Sequence, residues 1–177
     1  LASSGKHTKG TLIIATDPEI ENNLNKTSDK LISGEYLSAD DNQALVAEKL
    51  AEYLQVSVGD TLVLLGQGYH GVTAAAKVRV KGIIKFPIPQ LNNQLIYLPL
   101  KAGQEFYSSY GRVTTYSVMI SNPEELDEIV NAVKSELSDD YVVMDWTELN
   151  KEMVQAIKSD DVGGQIMLGI LYMVIGF

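Results

Sequence analysis

Three glycines follow a predicted strand with the spacing of a dinucleotide-binding loop. Gly66, Gly68 and Gly71 spell G-x-G-x-x-G directly after the apolar run 61–65. Such a loop binds a pyrophosphate when a long helix follows it, and an acidic residue about 20 positions further on binds the ribose. Here a strand is predicted next, and the first acidic residue downstream is Glu105. We therefore interpret the stretch as a flexible hairpin tip that contacts a partner, made up of Gly66, Gln67, Gly68, Tyr69, His70 and Gly71.

His70 is the side chain of this loop that could act as a general base. The chain has two histidines, and the other, His7, lies in a polar N-terminal segment. No H-E-x-x-H, G-x-S-x-G or P-loop lysine motif is present, so no local signature indicates hydrolysis or nucleotide binding. The members of a Ser-His-Asp triad can lie far apart in sequence, and a soluble hydrolase that uses His70 is therefore kept as an alternative. The leading interpretation is a non-catalytic domain.

Acidic residues occur in pairs at predicted helix starts and turns. Helix capping and solvation explain carboxylates at such positions, so we expect no metal site and no cofactor. The absence of cysteine excludes disulfides and cysteine-ligated zinc. The acidic pairs are Glu19 and Glu21, Asp40 and Asp41, Glu124 and Glu125, Asp139 and Asp140, and Asp160 and Asp161.

The charge of the chain argues against nucleic-acid binding. Lys and Arg number 14 against 23 Asp and Glu, a formal net charge of −9, whereas proteins that bind nucleic acid neutralise phosphates with Lys and Arg. The stretch 61–104 departs from this balance, because it has no acidic residue and contains Lys77, Arg79, Lys81, Lys85 and Lys101. It is either the solvated face of a strand or a sign of two subdomains with different partners.

The pattern of the first 112 residues predicts alternating strands and helices. Asp17 and Pro18 should open a helix that Gly34 ends. Apolar residues recur at helical spacing twice, once along Ile20, Leu24, Thr27 and Leu31, and again along Ala47, Leu50, Ala51 and Leu54. A turn at 58–60 leads into the run 61–65. Strands are predicted at 10–16, 43–46, 61–65, 78–84 and 94–98, and a weak helix at 99–107.

The remainder of the chain predicts a strand, a helix, a strand and a final helix. Residues 113–120 and 141–146 have strong β propensity. Asn122 should cap a helix, and Thr147 should cap the last one. The stripe expected to be buried on the first of these helices consists of Leu126, Ile129, Val130, Val133 and Leu137, and Met153 and Ile157 follow on the second. We expect an α+β fold in which the first and last parts form one layer and the β-rich middle is inserted.

The run 162–177 has no charged residue. A helix that crosses a bilayer needs about 20 apolar residues, so this run is too short to do so alone. A buried core helix is one interpretation. Since the run is apolar on all sides, we interpret it as the start of a transmembrane helix, with a water-exposed domain before it.

Several of these segments together resemble a known family. They are Leu31-Ile-Ser-Gly34-Glu-Tyr-Leu37, Ala44-Leu-Val46, Leu50-Ala51, Leu54, Val58-Gly59-Asp60 and Val80-x-Gly82-Ile83, with Ala15-Thr-Asp-Pro18 before them and Val143-x-Asp-Trp146 after them. In this order and spacing they resemble the extracytoplasmic core domain of MacB/FtsX-type ABC transporter permeases, which include the LolC/LolE-like lipoprotein-releasing permeases. The resemblance extends over roughly residues 12 to 177.

The resemblance implies a periplasmic domain of an inner-membrane permease. It implies an α/β porter-like part from 1–33 and 113–160, an inserted β-rich sabre-like part at 34–112, and a membrane helix beginning in 162–177. The implied partners are an ABC ATPase subunit, a second permease protomer, and a periplasmic adaptor or lipoprotein carrier. Lipoprotein-releasing members carry a long hairpin where this chain has only the short loop from Gly66 onward, which leaves open whether the cargo is a lipoprotein or another exported molecule.

The function implied is the coupling of cytoplasmic ATP hydrolysis to periplasmic motion, with no catalytic residue in this domain. An FtsX-like domain that signals across the membrane to a cell-wall hydrolase is the alternative within the same family. The hydrolase that would use His70 is the alternative outside it.

Overall fold

The structure, a computed structural model, describes residues 1–138, 140–151, 155 and 172. The chain has an α+β fold with a mixed sheet, as the sequence predicts. It divides into two compact units, Leu1–Tyr116 and Ser117–Phe177. Each unit is described by itself.

The first unit contains one eight-stranded sheet with the strand order β2-β1-β6-β7-β5-β8-β3 and with β4 beside β7. Two strand pairs, β3 with β8 and β5 with β7, are parallel, and the others are antiparallel. The strands are β1 (Ala2–Ser3), β2 (Thr8–Lys9), β3 (Leu12–Thr16), β4 (Leu31–Gly34), β5 (Gln43–Ala47), β6 (Thr61–Gln67), β7 (Thr73–Ile84) and β8 (Leu95–Pro99). The helices are α1 (Pro18–Asn25), α2 (Glu48–Leu54), α3 (Pro89–Gln94) and α4 (Leu100–Phe106), with 3₁₀ turns at Thr27–Lys30 and Tyr69–Gly71.

The sheet curls until its two end strands approach each other. Adjacent strands lie about 4.8 Å apart, so the seven strands from β2 to β3 would extend over roughly 29 Å if the sheet were flat. However, only Gly10 and Thr11 separate β2 from β3, and three consecutive Cα steps reach at most about 11 Å. Strands β2 and β3 therefore belong to one bent segment of the chain. Because β2 is the first strand in the order and β3 is the last, this segment brings the two ends of the sheet together, as in a barrel.

The core lies along the central strands of this sheet. Every residue of β8 is buried, as are four of the five residues of β5, which explains why neither strand alternates apolar and polar residues. Helix α2 adds Leu50, Ala51 and Leu54 to the core. Full burial of one such leucine side chain contributes about 1.5–3 kcal/mol. The predicted apolar stripe of α2 is thus confirmed.

Most predicted elements of the first unit are confirmed, with ends that differ by a few residues. The carboxylate of Asp17 accepts hydrogen bonds from the backbone N–H groups of Glu19 and Ile20, as an N-cap does. The strands and helices confirmed are β3, β5, β6, β7, β8, α1, α2 and α4.

The prediction that Gly34 ends a helix is wrong. Helix α1 ends at Asn25, because Lys26 adopts a left-handed conformation (φ 49°) and its N–H bonds to the carbonyl oxygen of Asn22. The prediction that Ile20, Leu24, Thr27 and Leu31 share one helix face is wrong too, because Thr27 lies in the 3₁₀ turn and Leu31 in β4. Gly34 instead lies in β4 with φ 84°, where a Cβ atom would overlap the carbonyl oxygen of Lys81. It is glycine that lets β4 approach β7 so closely.

The second unit contains the helices α5 (Leu126–Glu136) and α6 (Trp146–Leu149), with a 3₁₀ turn at Pro123–Glu125. The predicted start at Asn122 is confirmed. The side-chain oxygen of Asn122 accepts a hydrogen bond from the N–H of Glu124 at 3.1 Å, and its amide donates to Glu125 at 2.8 Å. This reciprocal pair resembles a capping box.

Three other predictions for this part of the chain are wrong. Residues 113–120 and 141–146 form no strand, because β propensity creates a strand only where another strand offers its backbone groups. Helix α5 has no buried residue, so its apolar stripe is not a core face in the described structure. The cap of α6 is Asp145 and not Thr147, since Asp145 accepts from the N–H groups of Thr147 and Glu148.

Two predictions fall on residues that the structure does not describe. They concern the end of the last helix, with Met153 and Ile157, and the run 162–177. Among the described residues, no helix combines the length and the apolar character that a membrane crossing requires.

The division into a porter-like part and a sabre-like part stays a prediction, although residues 1–33 share their unit with 34–112.

Candidate functional site

The predicted loop connects two antiparallel strands. Strand β6 ends at Gln67 and β7 begins at Thr73, and the two pair along their whole facing length, from Thr61 with Arg79 to Gln67 with Thr73. The segment after Gly71 is therefore a strand of 12 residues. No helix N-terminus faces the glycines, so the loop lacks the part of a dinucleotide site that would bind the pyrophosphate.

Glycine is required at two positions of this loop. A Cβ atom at Gly68 would lie 2.7 Å from the carbonyl oxygen of Tyr107 and 2.9 Å from Val72. Gly71 has φ 80°, and His70 beside it has φ 54°. Both lie in the left-handed region that only glycine adopts without cost. The turn is closed by the N–H of Gly68, which donates to Val72 at 2.7 Å.

The loop is attached to the segment that follows α4. The N–H of Tyr69 donates to the carbonyl oxygen of Tyr107 at 2.7 Å, and the ring of Phe106 lies against Gly66. Burial raises the pKa of the Tyr107 phenol. Sequence reasoning missed this attachment, because the two segments lie about 40 positions apart and no motif links them.

Arg112 completes the surface around Tyr69. Its guanidinium carbon lies 4.8 Å from the centre of the Tyr69 ring, a cation–π distance, and the rings of Tyr69 and His70 are 4.0 Å apart. Gln104 donates to the carbonyl oxygen of Arg112 at 2.9 Å and so holds this segment in place. The loop therefore presents an aromatic and basic surface, and the side chain of Tyr69 is 41% exposed.

The geometry of the loop offers His70 no catalytic partner. Within the part of the chain that the structure describes, His70 contacts the Tyr69 ring and makes no hydrogen bond to a serine or a carboxylate. A general base needs such a contact to be oriented toward a nucleophile. The described residues also contain no group of three or more His, Asp or Glu side chains that could hold a metal ion.

The basic residues of 61–104 are partly neutralised within the first unit. Lys81 donates to Asp41 at 2.6 Å, Lys85 lies 3.2 Å from Glu48, and Lys101 lies 3.4 Å from Asp40. Ion pairs therefore account for three of the five cations. Lys77 and Arg79 make no ion pair among the described residues.

The pair of Asp41 and Lys81 is the least exposed of these. Burial works against the charged form of Asp41, but the hydrogen bonds from Lys81 and from the Ser38 N–H outweigh it, and the pKa of Asp41 is lowered from its ordinary value. This pair ties the loop before β5 to the middle of β7.

A family model described as MacB-like periplasmic core domain matches residues 1–136. The matched range includes the whole first unit, with the glycine loop and the surface around Tyr69, and α5 of the second. No curated protein matches the chain.

Proposed function

This chain belongs to the family of MacB-like periplasmic core domains, and from that membership we propose that it couples ATP hydrolysis in the cytoplasm to motion outside it. The family match makes the chain an extracytoplasmic domain of an ABC-type permease. Domains of this kind are generally non-catalytic.

The single observation that carries the proposal is the family match over residues 1–136. The absence of a P-loop lysine motif agrees with it, because an ATP site is then supplied by another subunit or domain. We propose an ABC ATPase and a second permease protomer as partners in the inner membrane. The moved cargo is an exported molecule or a lipoprotein.

We further propose that the loop Gly66, Gln67, Gly68, Tyr69, His70 and Gly71 contacts a periplasmic adaptor or carrier. Three features support this role. Tyr69 is partly exposed beside Arg112, the loop lies at the tip of the hairpin formed by β6 and β7, and its attachment to Tyr107 gives it a defined conformation. A preformed surface binds with a smaller loss of conformational entropy than a mobile one.

Spin labels on the assembled permease test the coupling. The chain has no cysteine, so His70→Cys and, separately, Lys49→Cys each add one labelling site to this domain. We expect the distance between the labels of two protomers to differ between the nucleotide-free and the vanadate-trapped transporter. Any cysteine elsewhere in the permease is replaced first, so that each protomer carries one label. Because Lys49 lies on the exposed face of α2, its label reports motion of the first unit, whereas the label at His70 reports the loop.

Unchanged distances at both positions in an assembly that still hydrolyses ATP would contradict the coupling. A change at His70 alone would restrict the motion to the loop. If the distances change and no cargo leaves the cell, the motion transmits a signal, as an FtsX-like domain would.

A further inference from the structure

One edge of strand β7 is unpaired over half its length. Strand β6 pairs with β7 from Thr73 to Arg79. On the opposite edge, β5 pairs with β7 only from Arg79 onward, because β5 begins at Gln43. Residues 73–78 thus pair with β6 on one side, and among the described residues no strand is registered against their other side. Strand β7 lies between β6 and β5 in the sheet, but its first half has a free edge on the side of β5.

A cavity of about 330 Å³ lies against this free edge. Ala75, Ala76, Lys77 and Val78 form one side, and Leu98 of β8 with Ala102 and Phe106 of α4 form the apolar part of the other. The cavity occupies the place that β5 would fill if it began several residues earlier. Its lining also includes four exposed residues with polar groups, which are Asn42, Lys77, Glu105 and Tyr110.

The residues of the edge favour a close approach by another backbone. Ala74, Ala75 and Ala76 carry the smallest side chains that a strand can have apart from glycine. Side chains alternate between the faces of a strand, so an added strand would direct every second side chain toward Leu98, Ala102 and Phe106. The unpaired N–H and C=O groups of β7 would bond to its backbone.

We propose that an extended segment of a partner protein binds here by strand addition beside 74–78, in line with β5. Strand addition combines main-chain hydrogen bonds with pockets for alternate side chains, and both features are present. A small amphiphile would use the apolar pocket but would leave the edge unpaired. The segment expected has small apolar residues at alternate positions, since the cavity holds only about 330 Å³. This inference goes beyond the proposed function and does not depend on the role of the glycine loop.

The test uses the 177-residue chain and a phage-displayed library of random heptapeptides. We expect the selected peptides to alternate small apolar and polar residues. A selected peptide at saturation should slow hydrogen exchange of the amides in 74–78 that face the cavity by at least about tenfold, as pairing of a free edge does. The amides of α3 serve as an internal control and should not change.

Variants that fill the cavity should abolish this protection. Ala102→Leu adds an apolar side chain from the helix side, and Ala76→Leu does so from the strand side, so a folding defect in one leaves the other as a test. Thr61→Leu adds the same bulk on an exposed position of β6 and should leave peptide binding unchanged. Circular dichroism establishes that each variant is folded.

Four results would overturn the proposal. They are the absence of any selected peptide, protection that falls on the loop 66–71 instead of 74–78, equal protection by a detergent such as dodecyl maltoside, and protection that rises with the concentration of the chain alone. The last two would assign the cavity to an amphiphile or to a second copy of the chain. None of them bears on the coupling of ATP hydrolysis to motion.

Discussion

The two units contain similar local sequence signals and reach different degrees of packing. In the first, Leu62 and Leu64 of β6 are completely buried, and every predicted strand finds at least one neighbour. In the second, the described side chains of Val118 and Val142 are 77% and 79% exposed, although both belong to runs with strong β propensity. Helix α5 forms with a good N-cap, yet it has no buried residue.

The difference shows which structures local signals can produce. A helix satisfies its own backbone hydrogen bonds, so a cap and a suitable composition suffice to start it. A strand depends on backbone groups from elsewhere in the chain. Four predictions follow, and each pairs a substitution with a matched one, either in the other unit or at a less constrained position of the same unit.

Truncation of core side chains should give the largest contrast. Leu64→Ala in β6 should lower the free energy of unfolding by about 2–5 kcal/mol, because it removes buried methyl groups and leaves a cavity. The matched substitution Val142→Ala in the second unit should change it by less than about 0.5 kcal/mol. Urea unfolding followed by circular dichroism measures both. Equal losses would mean that Val142 is packed against a core.

The second-largest loss of stability should follow from replacing a glycine that lies at a close backbone contact. Gly34→Ala introduces a Cβ atom against the carbonyl oxygen of Lys81 at φ 84°, so we expect a loss of about 2 kcal/mol or more. Gly10→Ala is the control, since nothing lies within 4 Å of its Cβ position and its φ is not left-handed. If Gly34→Ala were as stable as the Gly10 variant, β4 would not need this approach to β7.

The ion pair of Asp41 and Lys81 should produce a pH dependence. The folded-state pKa of Asp41 is lowered from 3.8, so the unfolded chain binds more protons in the range just below pH 4. The stabilisation is therefore present above that pH and is lost as the pH falls through the folded-state pKa. Asp41→Asn should cost about 1–2 kcal/mol at pH 7 and flatten the stability curve between about pH 5 and pH 3.

Asp40→Asn is the control for that measurement, because the Asp40 side chain is almost fully exposed and its pair with Lys101 is long. Exposed ion pairs contribute about 0–1 kcal/mol. A pH profile of Asp41→Asn identical to that of the unaltered chain would assign the acid sensitivity to other carboxylates.

Helix caps should give the smallest effect. Asn122→Ala should cost about 1 kcal/mol of local stability at the start of α5 and speed exchange of the Glu124 amide. Asp17→Ala removes two hydrogen bonds at the start of α1 and should cost a similar amount. If the Asn122 variant kept normal exchange, packing and not the cap would hold the start of α5.

The glycine loop illustrates how far sequence reasoning reaches toward a site. Its position between two strands, and the failure of the dinucleotide interpretation, both follow from the spacing of Gly66, Gly68 and Gly71 and from the apolar runs on either side. The attachment of Tyr69 to Tyr107 and the cation of Arg112 above its ring could not be predicted. They depend on where α4 ends in space, which no local pattern specifies.

The helix predicted to run to Gly34 failed for a related reason. Its apolar spacing fits a helix, but the left-handed Lys26 and the pairing of β4 with β7 compete with it, and the tertiary contact prevails.

The sequence by itself determined the helix starts at Asp17 and Asn122, five strands of the first unit (β3, β5, β6, β7 and β8), and the resemblance that the family match supports. These depend on contacts between residues a few positions apart, or on apolar periodicity. The tertiary structure alone decided the curling of the sheet, the late start of β5, and hence the free edge of β7 beside its cavity. Strand register and strand ends are set by partners distant in the chain, and the physical forces that fix them act only after the chain has folded.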